Sequence, residues 1–219
     1  SNFLGVQNCL ELVRRKLTSE QPLFIQISTD EVYGDIRSGT HSETDILVPS
    51  NPYSATKAAA DMLIMSWGRT YGVKWNIIRP TNNFGHHQYP EKLIPKSTWR
   101  LSRGLKAVLH GDGSYMRSWL HADDTVEAIW AVIRSGERNA IYNAGADIEL
   151  ANIDVLRRIS KILSVPEEKA WAHIEDRSGQ DVRYALNDAR LRALGWSPKR
   201  QFDAELESIV QSFDASRFA

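Results

Sequence analysis

The fold class that the sequence predicts is α/β, with a parallel sheet. A buried-strand pattern at Leu23–Ser28 is followed by a long helical pattern at about Tyr53–Tyr71 and by a second strand pattern at Val73–Arg79 (VKWNIIR). Strand, helix and strand joined by short turns form a βαβ unit, whose strands run parallel. An apolar helical face at Phe3–Val13 precedes the first strand. This order indicates a sheet with helices packed against it.

Beyond Pro80 the pattern is less regular and indicates a smaller, mixed α/β lobe. The elements predicted there are a polar loop at Thr81–Glu91, helices near Leu93–Arg103, Asp123–Arg134, Asn152–Leu163, Asn187–Leu194 and Phe202–Phe213, and strands near Ala107–His110 and Ile141–Asn143. Irregular segments of this kind more often build a ligand-binding lobe than extend a sheet. We therefore predict one domain at residues 1–80 and a mainly substrate-binding lobe at 81–219, with segments at about 105–145 returning to the first sheet.

The composition excludes several classes of function. Lys and Arg total 27, Asp and Glu also total 27, and the longest basic run is only Arg14-Arg15-Lys16, so nothing marks a nucleic-acid-binding surface. The one cysteine, Cys9, cannot form an internal disulfide, and no apolar stretch reaches the length of a membrane span. We expect a cytoplasmic protein that binds neither nucleic acid nor membrane.

The first candidate functional group is Thr29-Asp30-Glu31, which directly follows the first predicted strand. In open parallel sheets ligands bind at the carboxyl ends of the strands, where these side chains would lie. Hydroxyl and carboxyl groups in this position could equally be turn and capping residues. The triple alone therefore leaves both interpretations open.

The second candidate group is Tyr53 with Lys57, at the start of the long helix. Pro52 biases the preceding residue away from helical dihedrals, so we expect the helix to begin near Tyr53. The two residues are then one turn apart on the same face. A cation beside a phenol favours the phenolate and lowers its pKa towards the range of a general base. Together with the strand-end triple, this pair indicates an active site.

These motifs resemble the extended short-chain dehydrogenase/reductase superfamily and, within it, the dTDP-glucose 4,6-dehydratases. The resemblance begins with a strand ending in Ser-Thr-Asp-Glu-Val-Tyr-Gly and a helix opening with Tyr-x-x-x-Lys. Further motifs follow along nearly the whole chain: Arg79–Gly85 (RPTNNFG), Pro90–Pro95 (PEKLIP), Gly111–Gly113 with Arg117 and Trp119-Leu120, Tyr142–Gly145 (YNAG), and Asp176–Gly179 with Arg183-Tyr184. Tyr-x-x-x-Lys identifies only the superfamily, whereas the Thr-Asp-Glu, Asn-Asn-Phe-Gly and Glu-Lys-Leu-Ile-Pro motifs are more specific.

The resemblance implies an NAD-dependent lyase that converts a nucleotide-activated glucose, dTDP-glucose before others, into the 4-keto-6-deoxy sugar. C4 is oxidised, water is eliminated across C5 and C6, and the hydride returns to C6. Tyr53 would remove the C4 hydroxyl proton, Lys57 would tune Tyr53 and bind the nicotinamide ribose, and Thr29 would bond to the same hydroxyl. Glu31 would take the C5 proton while Asp30, protonated at that moment, donates to the leaving C6 hydroxyl. Two adjacent carboxyls suit this division, because each disfavours ionisation of the other.

The resemblance also implies binding roles. Asn83 would lie at the nicotinamide side of NAD, together with Tyr53 and Lys57. The implied substrate-binding residues are Asn82, Lys92, Leu93, Arg117, Asn152 and Arg183. No metal is expected, because the His86-His87 pair has no third ligand at a convincing spacing.

Arg117 and Arg183 are the candidates for the diphosphate, since a planar fork of donors matches phosphate oxygens. Arg117 could instead be a surface residue, and Asn82-Asn83 could form a simple turn. The loop at Asp176–Gln180 would close over the nucleotide.

Some positions depart from the family pattern. Ser118 stands where Asp is usual, Asp124 where His is common, His110 where an aromatic residue often lies against the base, and Gln180 where His is frequent. None of them is among the presumed chemical groups. They leave the identity of the nucleotide base open.

The Gly-x-x-Gly-x-x-Gly turn of a dinucleotide site, and the acidic residue that binds its ribose, do not occur in the sequence. Residues 1–80 would then be the second half of a Rossmann-type domain, and the chain an incomplete enzyme. Three explanations remain: a fragment of a longer enzyme, an N-terminal half carried by a separate polypeptide, or a remnant that binds sugar nucleotide without turnover.

Two enzymatic alternatives belong to the same superfamily, a nucleotide-sugar epimerase and a UDP-glucuronate decarboxylase. Asp30-Glu31 argues against both, because epimerisation at C4 needs no acid for a C6 hydroxyl, and such decarboxylases usually carry Ser before the Glu. For whole relatives, the resemblance implies a homodimer formed through the helix that carries Tyr53 and Lys57.

Overall fold

The computed structural model describes residues 2–16, 20–176, 181–214 and 216. In these residues the strands are β1 (Phe24–Ile27), β2 (Trp75–Pro80), β3 (Asn82–Phe84), β4 (Ala107–His110), β5 (Met116–His121), β6 (Ala140–Ala144), β7 (Glu149–Ala151) and β8 (Trp171–Ile174). The α-helices are α1 (Leu4–Arg14), α2 (Pro52–Tyr71), α3 (Leu93–Ser102), α4 (Ala122–Ser135), α5 (Asn152–Ile162), α6 (Glu167–Ala170), α7 (Ala189–Arg192) and α8 (Phe202–Gln211). None of the helices in the described part of the chain is both long and apolar enough to cross a membrane.

The first sheet is parallel, with the strand order β1-β2-β6. Its central strand β2 is buried along its whole length, and neighbouring side chains of a strand face opposite sides of the sheet. Ile77 packs with Leu10 of α1 and Ile64 of α2, whereas Ile78 packs with Val132 of α4 on the other face. Helices therefore cover both faces, as in a Rossmann-type domain. The α/β class with a parallel sheet, predicted from the sequence, is confirmed.

The remaining strands build the smaller lobe. β3 runs parallel to β5, β5 runs antiparallel to β7, and β4 runs parallel to β8. The core of the lobe packs α3, α5 and α8 around Leu109, Leu156 and Phe202. β6 returns to the first sheet, whereas β4 stays in the lobe. The division of the chain near residue 80 remains a prediction.

Several elements differ from the sequence prediction. A strand, β3, forms inside the segment predicted as a polar loop, and β5, β7 and β8 are not marked by the sequence pattern. Their pairing partners are distant in sequence, and no clear alternation of apolar and polar residues identifies them. The helix predicted at 187–194 is shorter, because Asn187 Oδ1 accepts the Ala189 amide at 3.0 Å and so holds residue 187 outside the helix.

Candidate active site

The carboxyl ends of the three parallel strands meet at one edge of the first sheet. Ile27 pairs with Ile78, and the Ser28 amide extends this pairing by donating to the Ile78 carbonyl at 2.7 Å. Arg79 in turn pairs with Asn143 of β6. Ligands bind at this edge in open parallel sheets, and the acid–base candidates follow β1 directly at this point.

The chain leaves β1 through a capped turn. Thr29 is extended, and Asp30–Tyr33 form a single 3₁₀ turn. The Thr29 hydroxyl oxygen accepts a hydrogen bond from the Glu31 amide at 3.3 Å. The turn ends at Gly34, whose φ is 85°, and a Cβ there would lie 2.3 Å from the Val48 carbonyl oxygen, so glycine is required. The backbone thus fixes two neighbouring carboxyls at the sheet edge.

Asp30 is the buried member of this pair, with a relative exposure of 2%. Its Oδ1 accepts a hydrogen bond from the Thr29 hydroxyl at 3.2 Å, and the Thr81 side chain also bonds to this carboxyl. Burial raises the pKa of Asp30 to about 7, and the charge of Glu31 acts in the same direction. The hydrogen bonds from Thr81 and Thr29 and the Arg117 charge oppose this rise. Asp30 can therefore hold a proton near neutral pH.

Asn51 joins the second carboxyl to the start of α2. Its Oδ1 accepts a hydrogen bond from the Ser54 amide at 2.9 Å, and the Ser54 hydroxyl oxygen accepts one from the Asn51 amide. These two bonds form a capping box, and Pro52 lies in the first turn of the helix. Its Nδ2 donates to Glu31 Oε2 at 3.3 Å. The sequence prediction assigns no role to Asn51, although a capping residue before a Pro-initiated helix was a signal that could have identified it.

Lys57 lies on α2, one turn into the helix, and is buried. Its Nζ donates to the carbonyl of Ile27, the last residue of β1, at 2.6 Å. Burial lowers the pKa of Lys57, and the negative charge of Asp61 opposes that shift. The helix that carries Lys57 is thereby tied to the strand that carries the two carboxyls.

Tyr53 lies at the mouth of the same site and is 49% exposed. Burial raises the pKa of its phenol, and the negative charges of Glu31 and Asp30 raise it further. The lowering that the sequence predicts from Lys57 does not dominate, because the Lys57 ammonium is directed to a backbone carbonyl while two carboxylates face the phenol. The structure therefore brings together the five predicted catalytic residues: Thr29, Asp30, Glu31, Tyr53 and Lys57.

Asn82 and Asn83 lie on β3, directly after β2, and both are half-buried. Asn83 Nδ2 donates to the Thr81 carbonyl at 2.8 Å, and its Oδ1 accepts the Thr125 hydroxyl at 2.6 Å. These residues form a paired strand rather than a simple turn. Their position places them next to the carboxyl edge of the first sheet.

Three of the predicted substrate-binding residues, Lys92, Leu93 and Asn152, line one cavity of about 340 Å³ in the lobe. This volume lies within the range of small-molecule sites. The cavity contains the start of α3, where Lys92 occupies the capping position without a side-chain cap. Backbone amides at such a helix start are suited to an anionic ligand. His110 also lines the cavity.

The two predicted diphosphate ligands are both held by protein groups. Arg183 makes a bidentate ion pair with Glu149, in which both N–H···O distances are 2.8 Å. Arg117 donates to the backbone carbonyls of Met116 at 2.7 Å and Asp181 at 2.9 Å, and its guanidinium lies 4.9 Å from the centre of the Tyr184 ring. Arg117 is the nearer of the two to the chemical groups, because its charge acts on Asp30.

Part of the predicted nucleotide loop lies outside the described residues, namely 177–180. Asp176 at its start accepts a hydrogen bond from the Tyr115 hydroxyl. Within the ranges that the structure describes, no cluster of three or more His, Cys, Asp or Glu side chains could hold a metal ion.

Fold and site together define a class of protein: a Rossmann-type α/β chain in which two neighbouring carboxyls, a tyrosine and a lysine lie at the end of one strand. The GDP-mannose 4,6 dehydratase family model matches residues 1–209, and the chain belongs to this family. The family resemblance predicted from the sequence is confirmed.

Two relatives and one solved structure show what the chain is similar to. The chain is 38% identical to dTDP-glucose 4,6-dehydratase of Mycolicibacterium smegmatis, covering 99% of this chain and 65% of the relative. It is 40% identical to the trifunctional UDP-glucose 4,6-dehydratase RHM3 of Arabidopsis thaliana, covering 96% of this chain and 32% of the relative. The crystal structure of DesIV, a dTDP-glucose 4,6-dehydratase of Streptomyces venezuelae with NAD and TYD bound, superposes with a TM-score of 0.91 at 35% identity, over 96% of this chain and 64% of DesIV. The chain thus spans less than two thirds of these relatives.

Proposed function

We propose that this chain carries the acid–base and sugar-nucleotide-binding part of an NAD-dependent nucleotide-sugar 4,6-dehydratase, a lyase. The observation that carries the proposal is the strand-end pair of carboxyls. Asp30 is buried with a pKa raised to about 7, and its neighbour Glu31 is half-buried and bonded to the cap of the Tyr53 helix. A protonated acid beside a carboxylate base is what elimination of water across one carbon–carbon bond requires.

The first step is oxidation at C4. The residues present fit NAD: the Lys57 ammonium keeps two hydrogens after donating to Ile27, and the half-exposed Tyr53 phenol lies beside it on the helix. When bound, NAD supplies the group that accepts the hydride from C4 and that later donates this hydride to C6. Tyr53 takes the C4 hydroxyl proton, and Thr29 bonds to the same oxygen. Lys57 and Asn83 bind on the nicotinamide side.

The second step is loss of water. Once C4 is a ketone, the C5 proton is acidic, and Glu31 removes it. Asp30 donates its proton to the departing C6 hydroxyl.

The substrate's nucleotide occupies the cavity at the start of α3 in this proposal. Lys92 supplies a cation, Leu93 an apolar and backbone contact, and Asn152 an amide. Asn82 would bind near the sugar, while Arg117 and Arg183 would bind the diphosphate. Both arginines would have to exchange part of their protein hydrogen bonds for phosphate oxygens.

The nucleotide is dTDP in this proposal, with UDP as the competing base. The relatives named above include dehydratases of both kinds, at 38% and 40% identity. Titration calorimetry with dTDP and with UDP, on the chain and on Lys92→Ala, would rank the two bases. A tighter affinity for UDP would reverse the assignment.

The reaction is tested by incubating the protein with NAD and dTDP-glucose and following the product by ¹H NMR. A 6-deoxy methyl signal is expected, and in D₂O the product should carry deuterium at C5. Asp30→Asn should slow elimination more than C4 oxidation, whereas Tyr53→Phe should suppress oxidation itself. Calorimetric titration with NAD decides in parallel whether this chain binds the cofactor. Absence of both NAD binding and turnover would fit a fragment of a longer enzyme, whose activity must then be sought in a longer chain, and equally a module that binds sugar nucleotide without turnover.

An epimerase is the enzymatic alternative. It would return the C4 epimer with its C6 hydroxyl retained and would give no methyl signal. The buried acid at Asp30 is the observation that favours the dehydratase, because C4 epimerisation uses no acid at C6.

We further propose a homodimer through the helix that carries Tyr53 and Lys57. Exposed apolar side chains lie on α1 and α2, which pack against each other: Leu4, Leu12, Met62 and Tyr71. Burying these groups against a second copy would stabilise the pair. Light scattering on the protein and on Met62→Glu tests this: a dimer weakened by the substitution is expected, and a monomer at all concentrations would overturn it.

A further inference from the structure

A hydrogen-bonded network of polar side chains lies in the interior behind residues 29–33, which are called the acid–base turn below. Asp61 Oδ2 accepts hydrogen bonds from the Ser28 hydroxyl at 2.9 Å and from Arg79 Nε at 3.0 Å. Arg79 Nη1 donates to the Tyr33 hydroxyl at 2.8 Å, which donates in turn to Asn143 Oδ1 at 2.8 Å. Asp61 and Asn143 are fully buried, and Arg79 and Tyr33 are each 2% exposed.

Two members of this network, Ser28 and Tyr33, lie on either side of the two carboxyls of the acid–base turn. Ser28 directly precedes Thr29-Asp30-Glu31, and Tyr33 closes the turn that contains them. Ser28 bonds directly to the Asp61 carboxyl of α2, and Tyr33 is connected to the same carboxyl through Arg79. This is the helix that carries Tyr53 and Lys57. The network therefore joins the two predicted catalytic elements to each other.

Asp61 also lies one helical turn beyond Lys57. The groups that face Asp61 are Lys57 on its own helix, Ser28 at the end of β1 and Arg79 on β2. Its second oxygen, Oδ1, is buried and has no hydrogen-bond partner among the described residues. Lys57 donates to the Ile27 carbonyl, and the negative charge of Asp61 acts on its ammonium from one turn further along α2.

Burial of such a pair is costly. An apolar pair of the same volume would often be as stable or more stable, so a buried Asp61–Arg79 pair is weak support for a role in stability alone. Its links to both catalytic elements point to a functional role.

We propose that Asp61 is a positioning residue, which holds Lys57 in its cationic form and in register with the acid–base turn by means of its pair with Arg79. This inference rests on the proposed function, because it gives Lys57 the charge with which it assists Tyr53. Burial alone lowers the pKa of Lys57, and the charge of Asp61 counteracts that effect.

The test is a titration of Lys57 by NMR, in protein with ¹⁵N-labelled lysine side chains and with the Lys57 signal assigned through Lys57→Arg. Asp61→Asn removes the charge and keeps the shape. The Lys57 midpoint is expected to fall by about one pH unit in this variant, the size typical of a nearby opposite charge. Lys74, which lies in the loop before β2, serves as the internal control and should not move.

Asp61→Asn leaves Arg79 buried without its carboxylate partner, so a second variant guards against loss of the fold. The double variant Asp61→Asn/Arg79→Gln removes both charges and keeps a hydrogen-bonding pair, so it is measured as well, after circular dichroism has shown the fold. The Lys57 midpoint is expected to fall there also. Tyr33→Phe, which cuts the network beyond Arg79, should leave the Lys57 midpoint unchanged.

An unchanged Lys57 midpoint in a folded Asp61 variant would overturn the proposal and leave Asp61 a structural residue. The titration uses neither cofactor nor substrate. Its outcome is therefore separate from that of the proposed reaction, which the methyl signal of the product decides.

Discussion

The candidate groups at the end of β1 and those of the smaller lobe are held in different ways. Asp30 is 2% exposed and Thr29 beside it is buried, whereas the side chain of Lys92 in the lobe is 58% exposed. The same contrast separates two ion pairs: the Arg79 side chain is 2% exposed, and that of Arg183 is 21% exposed. Burial gives the Asp30 carboxyl a raised pKa that it would not have in water. Recognition of a charged ligand needs groups that the ligand can reach.

The largest effect should come from breaking the buried pair. Arg79→Met leaves Asp61 as an uncompensated charge in the core and removes a donor to Tyr33, so we expect a loss of about 3–5 kcal/mol in the free energy of unfolding. Arg183→Met breaks the half-exposed pair with Glu149, and we expect a loss of about 1 kcal/mol. Urea unfolding at pH 7 measures both.

Equal losses in the two arginine variants would contradict the division between a buried and an accessible region. A useful control is Arg157→Met, which removes an exposed ion pair on α5 and should change stability by less than about 1 kcal/mol.

The second effect is a pH dependence of stability. The pKa of Asp30 is raised to about 7 in the folded protein, while the unfolded value is about 4. The folded state therefore binds the Asp30 proton more tightly than the unfolded state does. The stability that protonated Asp30 contributes is fully present below pH 4 and is lost as the pH rises to about 7. A shift of this size corresponds to about 3–4 kcal/mol.

Asp30→Asn cannot ionise, so it should be more stable than the parent protein at pH 8 and lose that advantage near pH 4. Unfolding by urea at a series of pH values measures the difference. A stability difference for Asp30→Asn that is constant across this range would show that Asp30 titrates normally.

The sequence predicts much of the sheet and of the chemical site, for identifiable reasons. β2 was expected at Val73–Arg79 and lies at Trp75–Pro80, because a buried parallel strand is a continuous apolar run. The acid–base turn and the Tyr53 helix converge because the ends of parallel strands share one edge. Both signals are local, and the topology is implied by the βαβ order.

The missed features depend on partners far along the chain. β5 contains Arg117, Ser118 and His121 and has no alternating pattern, so only its pairing with β3 and β7 defines it as a strand. Asp61 and Arg79 are charged residues inside apolar segments, which was a signal of a buried pair. Their connection to each other requires the packing of α2 against β2, which the sequence does not specify.

A third prediction compares the starts of two helices. Asn51 caps α2, so Asn51→Ala should cost about 1 kcal/mol, whereas Asn51→Ser keeps a capping oxygen and should be near neutral. Both variants lose the donor to Glu31 and should slow water elimination alike. The stability of each variant depends on whether a capping oxygen remains at position 51, and the rate of water elimination depends on the hydrogen-bond donor to Glu31. Thermal melts and product NMR therefore separate the two roles of Asn51.

The matching change in the lobe has the opposite sign. Lys92 precedes α3 without a side-chain cap, so Lys92→Ser should stabilise the protein by about 1 kcal/mol and weaken dTDP binding in calorimetry. A stabilised variant with unchanged affinity would show that the start of α3 does not contact the nucleotide.

The smallest effect on stability should accompany one of the largest effects on chemistry. Tyr53 is 49% exposed, and Tyr53→Phe removes only its hydroxyl, so we expect a change within about 0.5 kcal/mol. The same variant should lose C4 oxidation, measured as NAD reduction in a single turnover, because the Tyr53 hydroxyl is the group proposed to take the proton of the C4 hydroxyl. Tyr71→Phe, at the far end of α2, is the control for both measurements. Hydride transfer that survives in Tyr53→Phe would assign the role of base to another residue. The pKa of Tyr53, which burial and the two carboxylates raise, would then have no part in the reaction.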